Sequence, residues 1–116
     1  MRIPLAAALV LLPGLALAHS ELSGSTPAPG ARLTTPPAEF VLRFNEAVQV
    51  TSLRLLDAAG QALPLRRAGD ATPRREERAA PEGPLPHGAL RLEWRAISAD
   101  GHPIRGTIRF TLEASR

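Results

Sequence analysis

The sequence predicts an all-β domain, an antiparallel Greek-key β-sandwich or barrel of about seven strands. Two observations carry this. Apolar and polar residues alternate with the period of two that a half-buried strand requires, most clearly in Phe40 to Phe44, Ala89 to Ile97 and Gly106 to Glu113, and no helical period is found after residue 18. Proline and glycine, 12 and 9 of the 116 residues, also break the chain at short intervals, as turns between short strands do.

Residues 1 to 18 read as a secretory signal. Met1-Arg2 is a short basic start, Ile3 to Leu17 is almost wholly apolar, and Ala16-Leu17-Ala18 has the small-x-small form that a signal peptidase cleaves. The 16 residues from Ile3 to Ala18 fall short of the ~20 that a membrane-crossing helix needs, and Pro13-Gly14 interrupts them. Cleavage after Ala18 leaves residues 19 to 116 as one domain whose first residue is His19. A domain of that size buries roughly 60 to 70% of its unfolded surface, enough for one modest core. With no cysteine in the chain, packing alone must stabilise it, through Phe40, Phe44, Trp94, Phe110 and the aliphatic strand residues.

Taken in order, Glu21 to Ser25 is expected to be a short first strand, and Ser25-Thr26-Pro27-Ala28-Pro29-Gly30 to be a turn region. In the next strand Phe40, Leu42 and Phe44 alternate with Val41 and Arg43, and the strand is expected to end at Asn45-Glu46. Val50 to Leu56, with Leu53 and Leu55 inward, forms a hairpin through Asp57-Ala58-Ala59-Gly60 into Gln61 to Leu65. Arg66 to Pro86 reads as a long irregular connection holding one weak strand near Arg75 to Ala79. Ala89 to Ile97 and Gly106 to Glu113 are the last two strands, with Leu90, Leu92, Trp94, Ala96, Ile108, Phe110 and Leu112 facing in.

The basic charge is entirely arginine, 14 against 11 acids, and falls from +3 to +2 when Arg2 leaves with the signal. These arginines are scattered among acids, as in Arg74-Arg75-Glu76-Glu77-Arg78, with no aromatic platform, so nucleic-acid binding is not expected. An exported protein with an ordinary charged surface, not inserted in the membrane after cleavage, is the expectation.

Chemistry concentrates between the last two strands, in Asp100-Gly101-His102-Pro103. Pro103 biases His102 toward extended backbone, and in an extended chain residues i and i+2 project to one side, so Asp100 and His102 can reach one small object together. By itself such a triplet also fits a solvated turn. His19 adds to it: an N-terminal histidine offers both its α-amine and its imidazole Nδ1. With His102 and Asp100 the set becomes three nitrogens and one oxygen, which suits Cu(II), with zinc the main competitor. Before cleavage the His19 nitrogen is an amide, so processing makes the site. The mature chain has neither cysteine nor methionine, so no dedicated Cu(I) site is expected. Glu46 is either a hydrogen-bond partner to a ligand or a strand-end carboxylate in water. His87, in Leu85-Pro86-His87-Gly88, reads as a surface turn residue.

These residues resemble the CopC copper-resistance domain of bacterial periplasmic proteins. The likeness is carried by Ala16-Leu17-Ala18 before His19, Ser25-Thr26-Pro27 with Gly30, Leu42-Arg43-Phe44-Asn45-Glu46-Ala47-Val48, and Trp94-Arg95 through Ser98-Ala99-Asp100-Gly101-His102-Pro103 to Gly106 and Phe110. The resemblance implies a cupredoxin-like or immunoglobulin-like β-barrel and Cu(II) held by His19, Asp100 and His102. It further implies a periplasmic role in copper tolerance, buffering or delivery beside a CopD-like inner-membrane partner. Some members carry a methionine-rich loop for Cu(I), and this chain departs from them. Two alternatives stay open: a small copper monooxygenase-like enzyme built on an N-terminal histidine, and an exported interaction module without metal.

Overall fold

Strand β3, Phe40–Leu56, is 17 residues long and belongs to both halves of the molecule. The computed structural model describes residues 20–114; the expected signal and His19 lie outside them. The other strands are β1 (Leu22–Thr26), β2 (Ala31–Leu33), β4 (Ala62–Leu63), β5 (Leu65–Arg67), β6 (Arg74–Pro81), β7 (Gly88–Ile97) and β8 (Pro103–Leu112). None of the described residues is helical, so none forms a helix able to cross a membrane.

The first half of β3 pairs with β1 and β6, and β5 extends that side. Its second half pairs with β7 and β4, continuing through β8 to β2. The single sheet thus curls into a sandwich, with Phe40, Leu42 and Phe44 on one layer facing Trp94, Ile108 and Phe110 on the other, all buried. Two aromatic contacts close the layers: Phe44 meets Trp94 edge-on at 5.2 Å between ring centroids, and Phe40 meets Phe110 at 5.8 Å. Every pairing is antiparallel except β2 with β8, a short parallel pair that the sequence pattern did not predict.

The expected break at Asn45-Glu46 is absent: the strand runs through it. Two irregularities make this possible. Between Arg43 and Val48 the register to β6 shifts, while Asn45 bridges to the residue before β1, its N–H donating to the Glu21 carbonyl at 3.0 Å and its Oδ1 accepting from the Glu21 N–H at 2.7 Å. Between Val50 and Ser52 the register to β7 also slips, because Val50 pairs with Ala96 but Ser52 with Arg95. Thr51 is the extra residue, a β-bulge that flips the inward phase from even positions (Phe44, Val48, Val50) to odd ones (Leu53, Leu55). One continuous strand therefore presents two out-of-phase patterns, which is why it reads as two.

β7 and β8 pair without a slip from Gly88 with Leu112 to Ile97 with Pro103. Their regularity is tightest at Gly106, opposite Trp94, where a Cβ would lie 2.7 Å from the indole. The ring fills the space a side chain would take. This rigid hairpin carries the candidate site at its tip.

Candidate metal centre

The tip comprises Ser98 to His102. The Ser98 N–H donates to the His102 carbonyl at 2.7 Å and the Gly101 N–H to the Ser98 carbonyl at 2.9 Å, closing a tight turn in which Gly101 takes φ +92°, a conformation that glycine adopts freely. Side chains reinforce it. The Ser98 hydroxyl donates to Asp100 Oδ1 and accepts from the His102 N–H at 3.0 Å. Asp100 Oδ1 also lies 3.1 Å from His102 Nδ1, so the acid and imidazole expected to act together are in contact. Both are well exposed, at 58% and 76% of their side-chain surface, while Ser98 beneath them is buried.

The Ser98 hydroxyl, and then the His102 imidazole and N–H, hold the Asp100 carboxyl down to about 2 from an ordinary 3.8. Asp100 is therefore a carboxylate at any neutral pH. Among the described residues neither Asp100 Oδ2 nor His102 Nε2 makes a hydrogen bond, so a second oxygen and a second nitrogen stay available on the same exposed loop.

Ser20 joins the loop from the other end of the chain. It is 8% exposed, and its Oγ accepts the Ala99 N–H at 3.1 Å across 79 residues. Ser20, Ser98, Asp100, His102 and Ile104 line a shallow depression of about 230 Å³. Sequence reasoning singled out Asp100 and His102 and passed over both serines; a hydroxyl two residues before an Asp-x-His triplet was the available signal. Glu46 does not line the depression, although it lies mid-way along β3, three residues before the Gln49 that pairs with Ile97 at the base of the tip, and on the inward phase beside the Asn45 bridge to Glu21. His87 precedes Gly88, at the opposite end of β7 and about 30 Å away at strand rise. Among the described residues no three His, Cys, Asp or Glu side chains are grouped closely enough to hold a metal ion. His19, the expected third residue, is not one of those described.

Fold and site together define a small β-sandwich domain whose chemically equipped loop, an acid beside an imidazole, is fastened to the start of the domain. The chain belongs to the CopC domain family, whose model matches residues 22–113. It is 31% identical to Copper resistance protein C of Pseudomonas syringae pv. tomato, over 96% of this chain and 94% of that one. Copper resistance protein C of Escherichia coli is 32% identical over 84% of each. The copper transport protein CutJ of Bacillus subtilis is 30% identical over 90% of this chain but only 20% of its own length. Among solved structures, CopC from Methylosinus trichosporium OB3b superposes with a TM-score of 0.73 at 26% identity, covering 84% of this chain and 97% of that one. PcoC, a methionine-rich copper resistance protein from Escherichia coli, gives 0.67 at 30% identity, covering 83% of this chain and all of PcoC.

Proposed function

We propose that this chain is exported to the periplasm, loses residues 1 to 18, and there binds Cu(II) through the His19 amine and imidazole together with Asp100 and His102. It acts as a carrier or buffer in copper tolerance or delivery, without turnover, and a CopD-like inner-membrane protein is the expected partner. The relatives' names supply the metal. The observation that carries the site is the Ser20 to Ala99 hydrogen bond: the residue next to His19 is fastened to the loop bearing Asp100 and His102. A carboxylate with a low pKa and an imidazole suit a tetragonal nitrogen and oxygen set, the preference of Cu(II). Unlike the methionine-rich PcoC, this chain has Met1 as its one methionine and no cysteine, so soft donors for Cu(I) are lacking after cleavage.

The test is an electron paramagnetic resonance spectrum of Cu(II) bound to protein beginning at His19, beside protein with one extra residue before it. Three coordinated nitrogens are expected in the first and fewer in the second, with weaker binding. Equal affinity in the two would remove the α-amine from the ligand set. Copper at ~1,000 times its dissociation constant should stabilise the cleaved protein by about 4 kcal/mol.

A further inference from the structure

The outer face of β3, β7 and β8 separates charge in a way the linear sequence conceals. Arg54, Arg91, Arg95, Arg105 and Arg109 lie on it against the single acid Glu93, whereas the other described residues hold seven arginines against ten acids. Arg91 stands directly opposite Arg109, and Arg95 opposite Arg105. Like charges facing each other across a ladder destabilise a sheet. Glu93 serves Arg91 at 3.1 Å and, more distantly, Arg54 at 3.9 Å. Arg95, Arg105 and Arg109 have no acidic partner among the described residues. Away from this face the arginines are mostly paired: Arg32 with Glu113, Arg43 with Glu76, Arg67 with Glu77, Arg74 with Asp70 and Arg78 with Glu39.

We infer that this face docks an extended, carboxylate-rich segment of a partner protein, laid along the strands of the β7–β8 hairpin beside the Asp100 and His102 loop. Its shape and chemistry favour that occupant over a lipid surface. A cleft of about 630 Å³ runs between Arg54, Arg95 and Arg105, with Ser52 and Thr107 contributing hydroxyls and Glu93 the one acid in its lining. It is concave, and no apolar side chain projects from it to enter a bilayer. The two arginine pairs stand four residues apart along the ladder, about 13 Å, which matches acids at i and i+4 of an extended peptide. Guanidinium groups suit carboxylates because both are planar and pair through two parallel hydrogen bonds. The face lies two residues from the Ile97 and Pro103 pair that ends the ladder, so a segment docked there is held against the loop.

The inference does not rest on the copper assignment. The protein is titrated without metal against a fluorescent peptide of about nine residues with Glu at every fourth position and Ser between, spaced to meet the two arginine pairs and to keep its acids off the Glu93 rung. A matched Gln peptide and phosphatidylglycerol vesicles are run in parallel. The Glu peptide should bind, more weakly as salt rises, and the Arg105→Glu/Arg109→Glu variant should bind it at least about tenfold less tightly. That variant places Glu opposite Arg95 and Arg91, so its melting temperature should rise, which excludes unfolding as the cause. Arg66→Glu/Arg75→Glu changes net charge equally at two arginines off the face and should leave affinity within about twofold. Equal loss in that control, equal binding of the Gln peptide, or binding to vesicles alone would overturn the proposal. Cu(II) binding by the same variants is read separately, and its failure would bear only on the metal site.

Discussion

Asp100 does two things with one oxygen: Oδ1 accepts from Ser98 and faces His102 Nδ1, fixing the imidazole, and Oδ2 is left toward solvent. A histidine whose second nitrogen is held by a carboxylate is oriented before any metal arrives. The carboxyl pKa, about 2 when folded, lies below its ordinary 3.8, so this interaction favours the folded state above about pH 4 and is lost as pH falls from there toward 2. Its largest cause is the Ser98 hydroxyl. Ser98→Ala should therefore raise the Asp100 pKa toward its ordinary value, read from the carboxyl carbon shift in an NMR titration. A value still near 2 would show that His102 alone sustains it. The triplet itself was legible in the sequence because spacing in an extended chain is local. Ser98 was signalled only by its place two residues before the triplet, its role coming from the turn, and Ser20 not at all, because its contact spans 79 residues.

Among the elements, β3 holds the sandwich together because both layers share it, and its curl creates a junction that needs fixing. Arg67 on β5 fixes it. Its guanidinium donates Nε to Glu77 Oε2 on β6 at 2.9 Å and Nη2 to the Val50 carbonyl of β3 at 2.7 Å, just before the Thr51 bulge. Glu77 is 2% exposed, although the sequence places it only on a weak strand in an irregular connection, among scattered charges. Removing one member of a buried pair strands the other, at a cost of about 3 to 5 kcal/mol, whereas replacing both by apolar groups of similar volume is often neutral. Arg67→Met, which strands the buried Glu77 carboxylate, should thus lower stability in denaturant by about that amount, and Arg67→Met/Glu77→Leu should recover much of it. Equal losses in the two variants would mean the pair itself, and not the stranded charge, matters. The strands were legible wherever period two ran unbroken, as in β7 and β8. β3 appeared as two strands because a bulge inverts the phase midway, and β2 was hidden because three residues carry no period.

On the scale of the whole molecule, residues 20 to 22 and the β7–β8 tip form one corner. Ser20 bonds Ala99, and Glu21 exchanges hydrogen bonds with Asn45, so residues 20 to 22 are stitched to both the loop and β3 before any metal is present. That geometry was not legible in the sequence, which showed the donors but not that opposite ends of the chain converge. A metal joining His19 to Asp100 and His102 would close a loop that backbone hydrogen bonds have already brought together, so little ordering entropy remains to oppose it. Binding should then appear as rigidity at the corner. Amide hydrogen exchange of Ala99, Glu21 and Asn45 should slow together when Cu(II) is added to protein beginning at His19, and amides at the far end of β7, near Gly88, should slow only by the global stabilisation. With one residue placed ahead of His19, the corner-specific part should vanish. If it persists, the stiffening comes from Asp100 and His102 alone, and residues 19 to 22 are a structural strap without a part in holding copper.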